Sequence, residues 1–162
     1  AFPDVTSAPV IGRRPDGSPV IVAGNAGGAL AAFDGPSGAR LWRRDAGSLS
    51  PVWAAGDSVF VATTEPALRR IDLLTGRDLW ATPLAGYEDP DDREDPIAYG
   101  GPVLAGGRLL TVASDGRLLA HDPETGASLG ETALPGTARM GPVVAGGAVY
   151  VLTDGGRLLA FR

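Results

Sequence analysis

An all-β fold built from a repeated four-stranded unit is what this sequence predicts, and three observations predict it. The same order of short apolar strands and turns is written four times along the 162 residues. A turn of the form Asp-x-x-(Ser/Thr)-Gly recurs, with its Asp at Asp34, Asp72 and Asp122. No window shows a convincing helical period, and 24 Gly with 14 Pro leave little room for helix. Four antiparallel strands in a unit of roughly 40 residues are the signature of a β-propeller blade.

Taken in order, the first unit opens on Ala8-Pro9-Val10-Ile11-Gly12, an apolar inner strand. Strands over 19–23 and 29–33 follow, and the turn at Asp34 leads into an outer strand, Leu41-Trp42-Arg43-Arg44. The second unit repeats this with Ser50-Pro51-Val52-Trp53, residues 58–63, residues 67–71 and Leu79-Trp80-Ala81-Thr82. The third has strands at 101–106, 108–113 and 117–121, and carries Leu129-Gly130 where the others carry tryptophan. The fourth has Pro142-Val143-Val144, residues 148–153 and residues 157–161, with no outer strand before Arg162.

Local chemistry agrees with these elements. The inner-strand prolines fall at 9, 51, 102 and 142, spaced 42, 51 and 40 apart. Proline suits a strand with an unpaired edge, as an inner blade strand has. The Asp of the repeated turn accepts from its own turn's backbone, and its Gly takes the left-handed conformation. Asp154-Gly155 between two apolar runs predicts a tight hairpin with both central residues at positive φ.

The expected units are residues 7–47, 48–86, 97–136 and 137–162 of a single domain, 1–162, with an acidic inserted loop at 87–96. The fourth unit lacks its outer strand. The expectation is therefore half of an eight-bladed propeller, whose two uncovered apolar blade faces make the isolated chain pair with itself.

Composition narrows function further. No apolar run approaches the length of a membrane-spanning helix. The start, Ala1-Phe2-Pro3-Asp4, has no basic or apolar leader pattern, so any targeting signal is expected outside this sequence. The absence of cysteine removes disulfides, thiolate metal sites and cysteine nucleophiles. All 14 basic residues are Arg, and the net charge of −5 argues against a nucleic-acid surface. That charge is concentrated. Residues 87–96 carry six acids and one Arg, so the remainder of the chain is balanced.

The acidic segment is also what lengthens the second spacing, which makes it an insertion at one end of the blades. Clustered oxygen ligands there suggest calcium, but the spacing matches no known calcium loop, and a solvated or partner-facing loop is the preferred reading. Tyr87, Glu88, Asp89, Asp92, Arg93, Glu94 and Asp95 are accordingly the candidate partner-binding residues.

Catalytic chemistry finds no footing. The single His, His121, aligns with Phe33, Ile71 and Phe161 and so reads as a packing residue. Without a second His no serine-nucleophile scheme is credible. The aspartates of the repeated turn lie in separate blades and cap turns. Trp42 and Trp80 recur at one position and read as inter-blade packing, while Trp53 stands where other units have Ile11, Leu104 and Val144. The glycine clusters at 24–28 and 100–101 precede no helix and fail as phosphate cradles. No catalytic residue, metal or cofactor is expected.

The unit Gly-Arg-Leu-Leu-Ala-x-Asp-x-x-Thr-Gly, at 116–126, resembles the pyrroloquinoline-quinone-type propeller repeat. Within that superfamily the chain looks most like the C-terminal half of the BamB-type outer-membrane protein assembly factors. Asp4-Val5-Thr6-Ser7-Ala8-Pro9-Val10-Ile11 is similar to the Asp-Val-Asp-x-x-Pro-Val-Val stretch of that family. Residues 94–104 look like an insertion of its α-proteobacterial members, and 154–162 resemble its C-terminus.

The resemblance implies a scaffold in the periplasm, tethered to the outer membrane by a lipid anchor outside this sequence. Its partners would be the periplasmic domains of the barrel-forming subunit, and unfolded outer-membrane strands meeting an exposed blade edge. The acidic pair of the family motif lies near its partner surface. Here Asp4 keeps the first member and Thr6 replaces the second, so both are further candidate partner-binding residues. The rival readings are the extracytoplasmic propeller of a receptor kinase or another adaptor and, less favoured, a fragment of a quinoprotein dehydrogenase. The last would need a calcium ligand set, a stacking tryptophan and usually vicinal cysteines.

Overall fold

The computed structural model describes residues 8–25 and 27–162. Within them the chain is strand and turn throughout, with no helix. The first sheet has the order β1 (Val10–Arg13), β2 (Pro19–Gly24), β3 (Ala29–Asp34), β4 (Arg40–Asp45). The second runs β5 (Trp53–Ala55), β6 (Ser58–Ala62), β7 (Ala67–Asp72), β8 (Asp78–Pro83). A separate pair, β9 (Tyr87–Asp89) and β10 (Glu94–Pro96), intervenes. The third sheet is β11 (Tyr99–Ala105), β12 (Arg108–Ala113), β13 (Arg117–His121), β14 (Ser128–Ala133). The last has three strands, β15 (Val143–Ala145), β16 (Ala148–Leu152) and β17 (Leu158–Phe161). Every pairing is antiparallel between chain neighbours, the meander expected of propeller blades.

Consecutive sheets pack face to face, and the second strand of each supplies both faces. In β6, all of Ser58–Ala62 is buried. Val59 and Val61 cluster with Val22 and Leu30 of the first blade, while Phe60 and Ala62 cluster with Leu109 and Leu119 of the third. A strand covered on both sides must read as continuous apolar sequence instead of alternating, which β6 does. Leu30, Leu68, Ile71 and Leu109 are fully buried, each worth about 1.5–3 kcal/mol of transfer free energy.

The first two junctions are fastened by tryptophan. Trp42 on β4 donates Nε1–H to the carbonyl of Leu73, at 2.8 Å, in the turn that follows β7. Trp80 on β8 does the same to Pro123 O, at 3.0 Å, in the turn after β13. A Cβ on Gly76 would stand 2.7 Å from the Trp42 ring, and one on Gly126 would stand 2.6 Å from Trp80. Those glycines also hold φ of +71° and +73°. Each repeated turn therefore needs Gly twice over, for its backbone conformation and for the indole laid on it. Asp72 and Asp122 accept from the backbone N–H groups of Thr75 and Thr125 at 2.7 and 2.8 Å, the capping expected of this turn.

Three local expectations need correction. The acidic insertion is a hairpin instead of a loop, with Glu94 paired to Asp89 and Pro96 to Tyr87. The hairpin with two positive-φ residues is not at Asp154-Gly155, where only Gly156 is left-handed, at +78°. Such pairs lie instead in the first hairpin of each of the last two blades, at Gly106-Gly107 and Gly146-Gly147. At the Asp-Gly site Gly156 N–H donates to Thr153 O at 2.9 Å, so the loop is one residue longer and needs a single left-handed residue. Finally, β1, β5 and β15 begin after Pro9, Pro51 and Pro142, and Pro102 sits at a bulge in β11. Proline cannot donate to the ladder, so these positions flank or interrupt pairing.

Candidate interaction surface

Because strand direction alternates, the connections at 46–52, 84–98 and 134–142 lie at the same end of the blades as the β2–β3, β6–β7, β12–β13 and β16–β17 turns. Hydrogen bonds tie the two sets together. Thr64 N–H reaches Gly47 O at 2.8 Å, Ser114 N–H reaches Ala98 O at 2.9 Å, and Asp154 N–H reaches Thr137 O at 2.8 Å.

The acidic hairpin stands on this end. Ile97 N–H to Gly86 O, 2.9 Å, fixes its root, and Ile97 is buried in the core shared by the second and third blades. Its tip is shaped by Asp89, whose carboxylate accepts from the N–H groups of Asp91 and Asp92 at 3.0 and 3.2 Å. Arg93 and Asp95 hold left-handed φ values of 56° and 52°. Tyr87, Glu88, Asp89, Asp92, Arg93, Glu94 and Asp95 are thus brought together on one exposed element. Asp4 and Thr6 lie outside the described residues. Among the described residues, no three His, Cys, Asp or Glu side chains converge as a metal site.

Two hollows flank the Thr63-Thr64 turn at the hairpin's foot. One, of about 250 Å³, is lined mainly by Leu49, Ala62, Ile97, Ala98 and Tyr99, with Pro96 of the hairpin at its edge. The other, of about 120 Å³, has Asp45, Glu65 and Arg69 on its walls. Tyr99 is held by its hydroxyl donating to Ala85 O at 2.8 Å, and Ser50 Oγ donates to Tyr99 O at 3.1 Å. Neither hollow is legible in the sequence. Each is assembled from connections, turns and strands that stand 41 to 50 residues apart.

The remaining candidates are structural. His121 is 5% exposed, pairs in register with Leu109, and its Nδ1 has no hydrogen-bond partner. Burial pushes its pKa below the ordinary value of 6.5. Asp34 accepts from Ser37 and from Arg14, the latter at 2.6 Å, which lowers its pKa to about 2. It caps a turn and anchors an arginine of the neighbouring hairpin loop. Trp53 shares a face with Phe60, its cross-strand partner, and is 36% exposed.

The fold has counterparts of known identity. A family model described as "Outer membrane protein assembly factor BamB" matches residues 1–82 and again 68–162. Among solved structures, BamB from Moraxella catarrhalis superposes with a TM-score of 0.71 at 27% identity, over 96% of this chain and 46% of that one. Two computationally designed proteins share the fold. Ika4 has a TM-score of 0.69 at 17% identity, over 99% of this chain and 92% of that one. Ika8 has a TM-score of 0.66 at 18% identity, over 96% and 45%. No curated protein sequence matches significantly. The chain thus spans less than half the length of the Moraxella protein.

Proposed function

The chain belongs to the family of the outer membrane protein assembly factor BamB, and on that premise we propose that it acts as a non-enzymatic scaffold of the outer-membrane barrel assembly machinery. In this reading it works in the periplasm at the outer membrane. It holds the periplasmic domains of the barrel-forming subunit and helps present nascent strands for insertion. The observation that carries the reading is the family match, which runs the length of the chain through overlapping repeats. The exposed hairpin bearing Tyr87, Glu88 and Asp92 is the surface we assign to partner contact.

Rigid antiparallel blades suit such a task, since they hold loops in fixed positions while the loops do the binding. Capture of the purified periplasmic domains of the barrel-forming subunit by this protein is expected. Failure of those domains to bind the folded protein would overturn the reading. Pyrroloquinoline quinone with calcium is expected to leave absorbance and Tm unchanged. A saturable shift in either would replace the scaffold with a quinoprotein.

A self-pairing of the chain fits the same architecture. In register, Tyr150, Leu152 and Leu158 of the last blade occupy the positions of Leu110, Val112 and Leu118. The latter are buried against the last blade, whereas Leu152 and Leu158 are 43% and 67% exposed. At the other end Ile11, Ile21 and Phe33 share an open face, in register with the positions that Val59 and Ile71 fill at a closed junction. One open face thus repeats the left half of a blade junction and the other repeats the right half. Two copies meeting head to tail would bury both. Light scattering is expected to give twice the chain mass, and a monomeric mass at micromolar concentration would overturn the pairing.

A further inference from the structure

We propose that the apolar hollow at the root of the acidic hairpin seats an extended cationic peptide segment of a protein partner. One large apolar side chain of that segment fills the hollow, and its arginine or lysine side chains lie against the hairpin. The inference deepens the scaffold reading and rests on it, because it states the chemistry of the partner segment.

Two independent features converge on this occupant. The first is the hollow itself. Its walls are Ala62, Ile97, Ala98 and Tyr99, with Leu49 beside it 60% exposed. Tyr99 and Ile97 are fixed by core packing, so the seat exists before the partner arrives. Its volume of about 250 Å³ accommodates one large side chain and not a free cofactor.

The second feature is charge that the chain leaves uncompensated. Elsewhere seven arginines reach acids, among them Arg14–Asp34, Arg44–Asp78, Arg70–Glu124 and Arg117–Glu131. Among the described residues, none of the six hairpin acids joins an ion pair. The register even sets two of them, Asp89 and Glu94, directly opposite each other, where like charges repel. Glu65, in the hollow next door, is a further acid without an ion pair at the same end of the blades. An apolar seat at the root of a hairpin that carries unpaired carboxylates matches a segment that mixes basic and apolar residues. Opposite charge also speeds its encounter.

The test uses a fluorescein-labelled peptide alternating arginine and leucine, read by anisotropy against the whole chain. A triple variant, Glu88→Gln with Asp91→Asn and Asp92→Asn, removes charge at exposed positions and leaves the Asp89 cap intact. Leu49→Ser removes the exposed apolar wall. The charge variant is expected to weaken binding by roughly tenfold and to flatten its salt dependence. Leu49→Ser is expected to weaken it about threefold without changing the salt slope, and a peptide with serine for leucine should not sense that substitution. Absence of binding to the native chain overturns the proposal. So does a charge-only result, in which Leu49→Ser and the serine peptide change nothing. The barrel subunit's periplasmic domains are titrated in parallel. If they fail to bind while the peptide binds as described, the scaffold reading falls and the seat stands. If they bind equally to every variant while the peptide ignores both features, the seat falls and the scaffold stands.

Discussion

The junction between the first two blades and the one between the last two are made from corresponding strands, yet only the first is closed at its rim. At the first, Trp42 lies over Gly76 and donates to Leu73 O, and Arg44 adds a bond to Gly76 O at 2.7 Å. At the last, β14 carries Gly130 in the tryptophan position, every residue of β14 is exposed, and a groove of about 690 Å³ opens between Leu129, Leu118, Val149 and Phe161. The buried centres of the two junctions are alike. In both junctions the buried centre comes from the second and third strands, and at the first the rim is closed in addition by Trp42 lying on the turn after β7.

The contrast can be broken most forcefully at the tryptophan. Trp42→Ala removes a buried ring and leaves Leu73 O without its donor, and should cost about 3–5 kcal/mol in urea unfolding. A loss below about 1 kcal/mol would mean that the rim contributes nothing and that the second and third strands act alone.

Next in size is the pair Leu118→Ala and Leu158→Ala. These occupy one register position in neighbouring blades, buried at 7% and exposed at 67%. The first should cost about 2–5 kcal/mol and the second less than about 0.5 in the monomer. If the chain pairs with itself, the second becomes costly at high protein concentration, and that concentration dependence reads out the pairing.

The turn glycine gives a smaller effect. Gly126→Ala meets the Trp80 ring and Thr82 Oγ1 and is held at positive φ, so about 1–3 kcal/mol is expected. Gly130→Ala has positive φ but open space around its Cβ, and should lose only the backbone part, about 1 kcal/mol.

The smallest effect is pH-dependent. Folding lowers the pKa of His121, so the unfolded chain takes up the proton first as pH falls. Its contribution is complete above pH 6.5 and declines as pH drops below that value. His121→Phe, matching Phe33 and Phe161 in the other blades, should leave stability flat across that window when followed by Tm.

Particular residues show how much was legible. Trp42 and Trp80 recur at one step of the repeat, so their packing role followed from alignment, and each was found on the next blade's turn. His121 was placed among core residues for the same reason. The hairpin at 87–96 was not legible as strand, because its residues apart from Tyr87 are charged or proline and disfavoured in strands. Backbone pairing at Asp89–Glu94 and an anchored root at Ile97 form it in spite of composition. Likewise, Asp154-Gly155 signalled a two-residue turn, but a loop one residue longer with Gly156 left-handed satisfied the same ladder.

By itself the sequence determined the all-β repeat, the order of strands, the capping turns and the family resemblance. These depend on local turn chemistry and on the period of apolar residues, which are written in neighbouring letters. The tertiary structure decided what depends on distance: which connection covers which turn, where an apolar hollow is left between Leu49 and Tyr99, and which carboxylates go unpaired. Ion pairs and cavities form between residues tens of positions apart, and only the stacking of blades brings those positions together.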